Sequence, residues 1–155
     1  MEIRPERPGS AIYAGLFLIT LSTLTFEVLL TRIFSVTLWY HFAFVAVSVA
    51  MFGMTLGALA VYLAKDRIGR RSVRWWMAVA ALAFSIAMFA SIAAHVQLPT
   101  HSPLRLPLTF VIVAVPFVFS GVAVCLALTR FQAALTTLYA VDLLGAALGC
   151  VVLIG

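Results

Sequence analysis

Two acidic residues inside long apolar stretches are the side chains of this chain best placed to do chemistry. They are Glu27 and Asp142. Near the centre of a bilayer a charged carboxylate costs roughly 2.5 kcal/mol or more, so each of these groups needs either a partner or a task. The tasks open to a carboxylate in such surroundings are proton transfer and cation binding.

Glu27 belongs to a polar stripe that runs along one face of its predicted helix. The other members of the stripe, at helical spacing, are Thr20, Thr23 and Thr31. We expect this face to contact other helices and not lipid. One hypothesis makes Glu27 a proton or ligand site. The other, which we favour, makes it a structural carboxylate held by Arg32, by His41 or by another helix.

Asp142 precedes two glycines on the same predicted helix face. Gly145 and Gly149 have the spacing that lets a second helix approach closely, and Asp142 lies three and seven residues before them. Gly53 and Gly57 have the same spacing in an earlier apolar stretch. We expect both faces to pack against helices, and they are candidates to pack against each other.

The two carboxylates are not expected to share one site. From their distances to the predicted helix ends, the levels of Glu27 and Asp142 in a bilayer differ by on the order of 10 Å. A carboxylate dyad is therefore not predicted. A transporter in which both acids line a solute path remains an alternative.

The three histidines are the only other candidate ligands. His41, His95 and His101 all fall toward one predicted membrane face, but their spacing matches no metal motif. We predict no metal and no cofactor. The two cysteines, Cys125 and Cys150, are expected to be packing residues and not a disulfide.

The composition of the chain predicts that membrane-spanning helices position these residues. Hydrophobic residues make up 65% of the chain, and the mean hydropathy is +1.16. Because a soluble domain has too little interior for that much apolar surface, we predict an all-α integral membrane protein with no soluble domain. The predicted spans are residues 11–31, 41–64, 75–96, 108–128 and 134–155, with a basic loop at 65–74 and a kink at Pro116.

Charge predicts how the helices are oriented. With the N-terminus in the cytoplasm, eight basic residues fall on that side and two on the other. The eight are Arg4, Arg7, Lys65, Arg67, Arg70, Arg71, Arg74 and Arg130, and the two are Arg32 and Arg105. We interpret the net charge of +5 as an orientation signal and as contact with anionic lipid, not as a nucleic-acid surface.

Three segments resemble the membrane region of bacterial spermidine-synthase-like proteins. They are FEVLLTRIFS at 26–35, LWYHFAF at 38–44 and LYAVDLLGAALG at 138–149. The residues that match the membrane motifs are Glu27, Arg32, Tyr139, Asp142, Gly145 and Gly149. The resemblance implies a bacterial cytoplasmic membrane protein, in which a soluble, Rossmann-like, aminopropyltransferase-type domain follows the spans. The catalytic acids would then lie beyond residue 155, and no active-site residue can be assigned within this chain.

These observations lead to one favoured function and two alternatives. We expect a non-catalytic membrane domain that serves as an anchor or assembly surface, in contact with lipid and with either a membrane partner or the remainder of a longer chain. The apolar C-terminus favours a longer parent protein. The first alternative is an accessory subunit of a larger energy-transducing or photosynthetic complex. The second is a small transporter component that uses Glu27 and Asp142.

Overall fold

The computed structural model describes residues 8–37, 41–68, 72–97 and 105–153. Nearly all of these residues are helical. The helices are α1 (Ser10–Thr37), α2 (Phe42–Leu63), α3 (Lys65–Ile68), α4 (Val73–Gln97), α5 (Arg105–Arg130) and α6 (Leu135–Val152), with a 3₁₀ turn at Gln132–Ala134 before α6. Five of them, all except α3, are long and apolar enough to cross a membrane, which confirms the predicted number of such helices.

The end of the first span and the start of the basic loop differ most from the prediction. The first span was expected to end before Arg32, but α1 continues to Thr37, because no glycine or proline lies between Arg32 and Thr37 and Phe34 is fully buried. The start of the predicted basic loop is helical instead, over Lys65–Ile68. There Ile68 is buried, and its N–H donates to the carbonyl of Ala64 at 3.0 Å. Burial of this one apolar side chain fixes the extra turn.

α5 occupies the middle of the bundle. It packs against α2, α4 and α1, whereas α6 packs chiefly against α1. Pro116 lies within α5 and is buried, and α5 is helical from Arg105 to Arg130 on both sides of it. In the most apolar stretch of each helix, 44% of the residues are buried in α5 but only 17% in α6. α6 is therefore the least enclosed of the five long helices.

The core is divided into layers along the bundle. One layer joins the beginning of α1, α4 and α6 to the ends of α2 and α5; it contains Leu16, Val61, Met77, Leu126 and Leu138. A second layer joins the end of α1 to the beginnings of α2 and α5 and contains Phe34, Ala46, Ala50, Val113 and Phe117. The chain consequently reverses direction from one long helix to the next. We call the end of the bundle at the first layer the basic end, since Lys65, Arg74 and Arg130 lie beside it.

Candidate functional site

Glycines of α2 and α5 make a close contact between these two helices. A Cβ built on Gly53 would lie 2.7 Å from the Cβ of Phe117 and 2.8 Å from the carbonyl oxygen of Ala114. A Cβ on Gly57 would lie 2.8 Å from the amide nitrogen of Val122. These separations are too short for a side chain, so the two backbones touch here only because the residues are glycines.

Gly121 contributes to this contact from the α5 side. A Cβ at this position would lie 2.7 Å from the Cα of Met54. Sequence analysis did not single out Gly121, because it has no second glycine at the four-residue spacing. Its signal was only a glycine in an otherwise uninterrupted apolar helix.

Gly145 and Gly149 form an equivalent contact with α1. A Cβ on Gly145 would lie 2.7 Å from the carbonyl oxygen of Phe17, and one on Gly149 would lie 3.1 Å from the Cβ of Leu24. The hydroxyl of Thr25 also donates to the carbonyl of Gly149 at 3.2 Å, across the interface. Close approach thus allows a polar side chain of one helix to bond the backbone of the other.

The two glycine faces, which were candidates to pack against each other, pack against other helices instead. The face of Gly53 and Gly57 packs against α5, and the face of Gly145 and Gly149 packs against α1. Each glycine face packs against a helix that runs parallel to its own. The parallel direction follows from the residue numbers, which increase the same way on both sides of each contact. Successive long helices alternate in direction, so the second and fourth (α2 and α5) are parallel, as are the first and fifth (α1 and α6).

The register of α1 and α6 separates the two acidic residues. Gly149 faces Leu24, which places Asp142 level with Phe17. Glu27 lies ten residues further along α1, which corresponds to about 15 Å at 1.5 Å per residue. The two carboxylates therefore occupy different levels of the same helix pair and do not form a dyad.

The threonines of the predicted stripe bond their own helix. Thr20 donates to the carbonyl of Leu16 at 3.0 Å, and Thr31 donates to that of Val28 at 2.7 Å. Thr20 and Thr23 are buried, whereas Glu27 and Thr31 are half-buried. Arg32, one of the expected partners of Glu27, has an exposed side chain. The stripe is therefore enclosed at Thr20 and Thr23 and opens toward Glu27.

Thr23 joins the stripe to another helix through a side-chain hydrogen bond. Its hydroxyl oxygen lies 2.6 Å from that of Ser120 on α5, and both residues are buried. Thr23 also lies 2.7 Å from the carbonyl of Ile19, to which it donates. Ser120 then donates to Thr23, since one hydroxyl has a single proton. Sequence analysis missed Ser120, a lone serine without a periodic polar neighbour.

Asp142 has an unsatisfied oxygen. The side chain is half-buried on α6, and its Oδ1 is shielded from solvent without a hydrogen-bond partner among the described residues. A buried acceptor without a donor costs about 1–3 kcal/mol. Tyr139, one turn earlier, and Leu143, its neighbour, are exposed. The orphaned oxygen thus lies at the border between the α1 contact and an open face of α6.

The histidines do not meet in the described structure. His41 is exposed beside the beginning of α2, and His101 lies outside the described residues. The ring of His95 lies 5.4 Å from the ring of Phe34, and its Nδ1 is shielded without a hydrogen-bond partner. No group of three potential metal ligands occurs among residues 8–37, 41–68, 72–97 and 105–153.

Comparison with known proteins adds no family to this geometry. No family model matches the chain, and neither a curated protein nor a solved structure matches it.

Proposed function

We propose that this chain is a non-catalytic, five-span membrane domain that anchors and assembles a larger spermidine-synthase-like protein in the bacterial cytoplasmic membrane. Five helices of membrane-crossing length and composition support the embedding. Their outward side chains support it too, because large apolar residues such as Phe44, Met51, Leu82, Ile86 and Phe89 are exposed on the bundle. In water such a surface would aggregate, whereas in lipid it is solvated.

The proposed orientation places the basic end in the cytoplasm. Lys65, Arg67, Arg74 and Arg130 lie in or beside the helix ends at the basic end, whereas Arg32 and Arg105 lie toward the other end of the bundle. Basic residues near helix ends are retained on the cytoplasmic side during insertion. The uneven charge of the two ends of the bundle thus supports an N-terminus in the cytoplasm.

The open face of α6 is the observation that carries the assembly role, because α6 is the least enclosed of the five long helices. Asp142 lies half-buried beside this face, where a carboxylate in lipid needs a partner. The exposed side chains of Tyr139 and Leu143 leave room for a further membrane helix. The proposed occupant is a helix that carries a hydrogen-bond donor or a cation for the accessible part of the Asp142 carboxyl group.

The positions of the family-like motifs agree with this proposal. The segment around Glu27 lies on α1 and the segment around Asp142 lies on α6, and these two helices pack together through Gly145 and Gly149. A domain whose role is assembly needs its distinctive residues at helix contacts, and four of the six motif residues lie on α6, whose outer face is open.

Site-specific photo-crosslinking tests the assembly role. In the full natural protein, a photoreactive amino acid is placed at Leu143, which is 50% exposed on α6, and as a control at Leu82, which is 66% exposed on α4. We expect a discrete protein adduct from position 143 and only lipid adducts from position 82. The Asp142→Asn variant should weaken the adduct at 143, because the amide loses the charge that attracts a cation.

The mass of the adduct distinguishes the two kinds of partner. A cross-link to another part of the same polypeptide indicates the remainder of a longer chain, as the spermidine-synthase-like proposal requires. A shift by the mass of a second protein indicates an accessory subunit of a larger complex. If positions 143 and 82 both yield only lipid adducts, the open face of α6 is a lipid-facing surface and the assembly role is wrong.

A further inference from the structure

A cleft between the beginnings of α1 and α4 has a charged mouth and an apolar interior. Its volume is about 340 Å³. The interior is lined by Ile12, Gly15, Ile19, Met77, Ala78 and Ala81. At its mouth lie Ser10 and Arg74. This division of polar and apolar groups matches an amphiphile better than it matches a soluble ion.

The guanidinium of Arg74 lies near Gly9, the residue before α1. A Cβ built on Gly9 would lie 3.8 Å from a guanidinium nitrogen of Arg74. Both helices that form the cleft begin here, so the positive ends of two helix dipoles lie beside the same cation. The guanidinium can donate two parallel hydrogen bonds to one phosphate, and the Ser10 hydroxyl adds a further donor.

We propose that this cleft binds an anionic glycerophospholipid, with its phosphate on Arg74 and an acyl chain between α1 and α4. The proposal rests on the membrane embedding described under the proposed function. Charge complementarity selects the occupant. Among the described residues that line the cleft, Arg74 is the one charged side chain, and the walls are apolar. The phosphate would remain at the level of the basic end, where the lipid headgroups of the cytoplasmic leaflet lie.

A second cleft at the basic end is less suitable for binding a phosphate and provides the control. It lies between the ends of α2 and α5 and includes Lys65 and Arg130. The C-terminal end of a helix carries partial negative charge, which repels a phosphate. The ammonium of Lys65 lies 5.6 Å from the centre of the Tyr62 ring, and Thr129 donates its hydroxyl to the carbonyl of Cys125. Arg130 is thus a cation at the same end but on a less favourable site.

Gly15 offers a way to fill the cleft without disturbing the fold. A Cβ at Gly15 would meet no atom within 4 Å, and the residue lines the cleft. The Gly15→Leu variant should therefore occupy the space proposed for the acyl chain. Ala14, its neighbour, is exposed and does not line the cleft, so Ala14→Leu adds the same side chain without filling it.

Native mass spectrometry of the detergent-purified protein tests the proposal. Phosphatidylglycerol and phosphatidylcholine with identical acyl chains are titrated separately, and glycerol phosphate is added as a competitor. We expect Arg74→Gln to weaken phosphatidylglycerol binding by about fivefold, as loss of one interfacial basic residue does. Gly15→Leu should weaken the binding of this lipid too, whereas Arg130→Gln and Ala14→Leu should change it by less than about twofold.

Three results would overturn the lipid site. They are equal binding of the two lipids, equal losses in Arg74→Gln and Arg130→Gln, and displacement of the lipid by glycerol phosphate at equal concentration. The last result would indicate a phosphate site without a lipid chain. Flotation of the same variants with phosphatidylglycerol vesicles separates this failure from a failure of membrane embedding: loss of the lipid site leaves flotation intact, whereas a protein that does not embed fails to float.

Discussion

The hydroxyl oxygens of Thr23 and Ser120 lie 2.6 Å apart inside the bundle and join α1 to α5. Both side chains are buried, and around them the two helices contact each other mainly through apolar groups. Between apolar helices in lipid, such a bond fixes the register, because dispersion contacts alone allow sliding.

A double-mutant cycle measures the strength of this bond. We expect Thr23→Val and Ser120→Ala to couple by about 0.6 kcal/mol, the average for hydrogen bonds between membrane helices. The free energy of unfolding in mixed micelles provides the measurement. Thr55→Val is the control, because Thr55 is exposed and its hydroxyl donates to the carbonyl of Met51 in its own helix. Additive effects of the Thr23 and Ser120 substitutions would contradict a direct bond.

The contact between α2 and α5 should not tolerate a methyl group at Gly57. In Gly57→Ala, the new Cβ would lie 2.8 Å from the amide nitrogen of Val122 and 3.0 Å from the carbonyl carbon of Gly121. Because both are backbone atoms, α5 must shift, at a cost of about 1–3 kcal/mol. Gly15→Ala, which meets no atom within 4 Å, should not lower the melting temperature in detergent. Equal melting temperatures for the two variants would refute the close contact.

The contact between α1 and α6 should be similarly sensitive at Gly149. We expect Gly149→Leu to separate the helices, since a Cβ there would already lie 3.1 Å from the Cβ of Leu24. Leu148→Ile, at an exposed position of the same helix, conserves volume and should have little effect. The melting temperature in detergent reports on whether the helices remain packed together. An unchanged melting temperature in Gly149→Leu would contradict the packing role.

Glu27→Gln distinguishes a structural carboxylate from a proton site. Glutamine keeps the size of the side chain and most of its hydrogen-bonding capacity, but it cannot carry charge. If Glu27 is structural, the variant should insert and assemble with a loss of about 1–2 kcal/mol. The measurements are recovery of the intact assembly and proton uptake into vesicles. Abolished proton-coupled activity in an intact assembly would reject the structural role and support the transporter.

The five long helices could be predicted because their signal is the continuous apolar composition that lipid requires. The choice of partner for each helix could not. In these helices both the core face and the outer face are apolar, as Leu138 and Leu143 of α6 illustrate, so hydrophobicity does not reveal which face is buried. The glycine spacing indicated close contact at Gly53 and Gly145 but did not indicate which helix lies opposite. Ser120 and Gly121 were missed for the same reason: each is an isolated small residue whose importance depends on the neighbouring helix.

The Asp142 site illustrates a different limit. Its place on the glycine face followed from helical spacing, and the structure places it on the helix that packs against α1. Its unsatisfied oxygen depends on the three-dimensional surroundings of a single atom, to which no sequence pattern corresponds. The open face of α6, on which the proposed partner helix depends, likewise emerged only from the packed bundle.

Cysteine labelling of intact cells tests the central claim, that five helices cross the membrane with the basic end in the cytoplasm. In a background with Cys125 and Cys150 replaced by alanine, single cysteines are introduced as Ser72→Cys, before α4 at the basic end, and Ser102→Cys, in the connection at 98–104 outside the described residues. A membrane-impermeant maleimide should label position 102 in intact cells and position 72 only after the cells are opened. Labelling of position 72 but not 102 in intact cells would reverse the orientation, and labelling of both would contradict the five crossings.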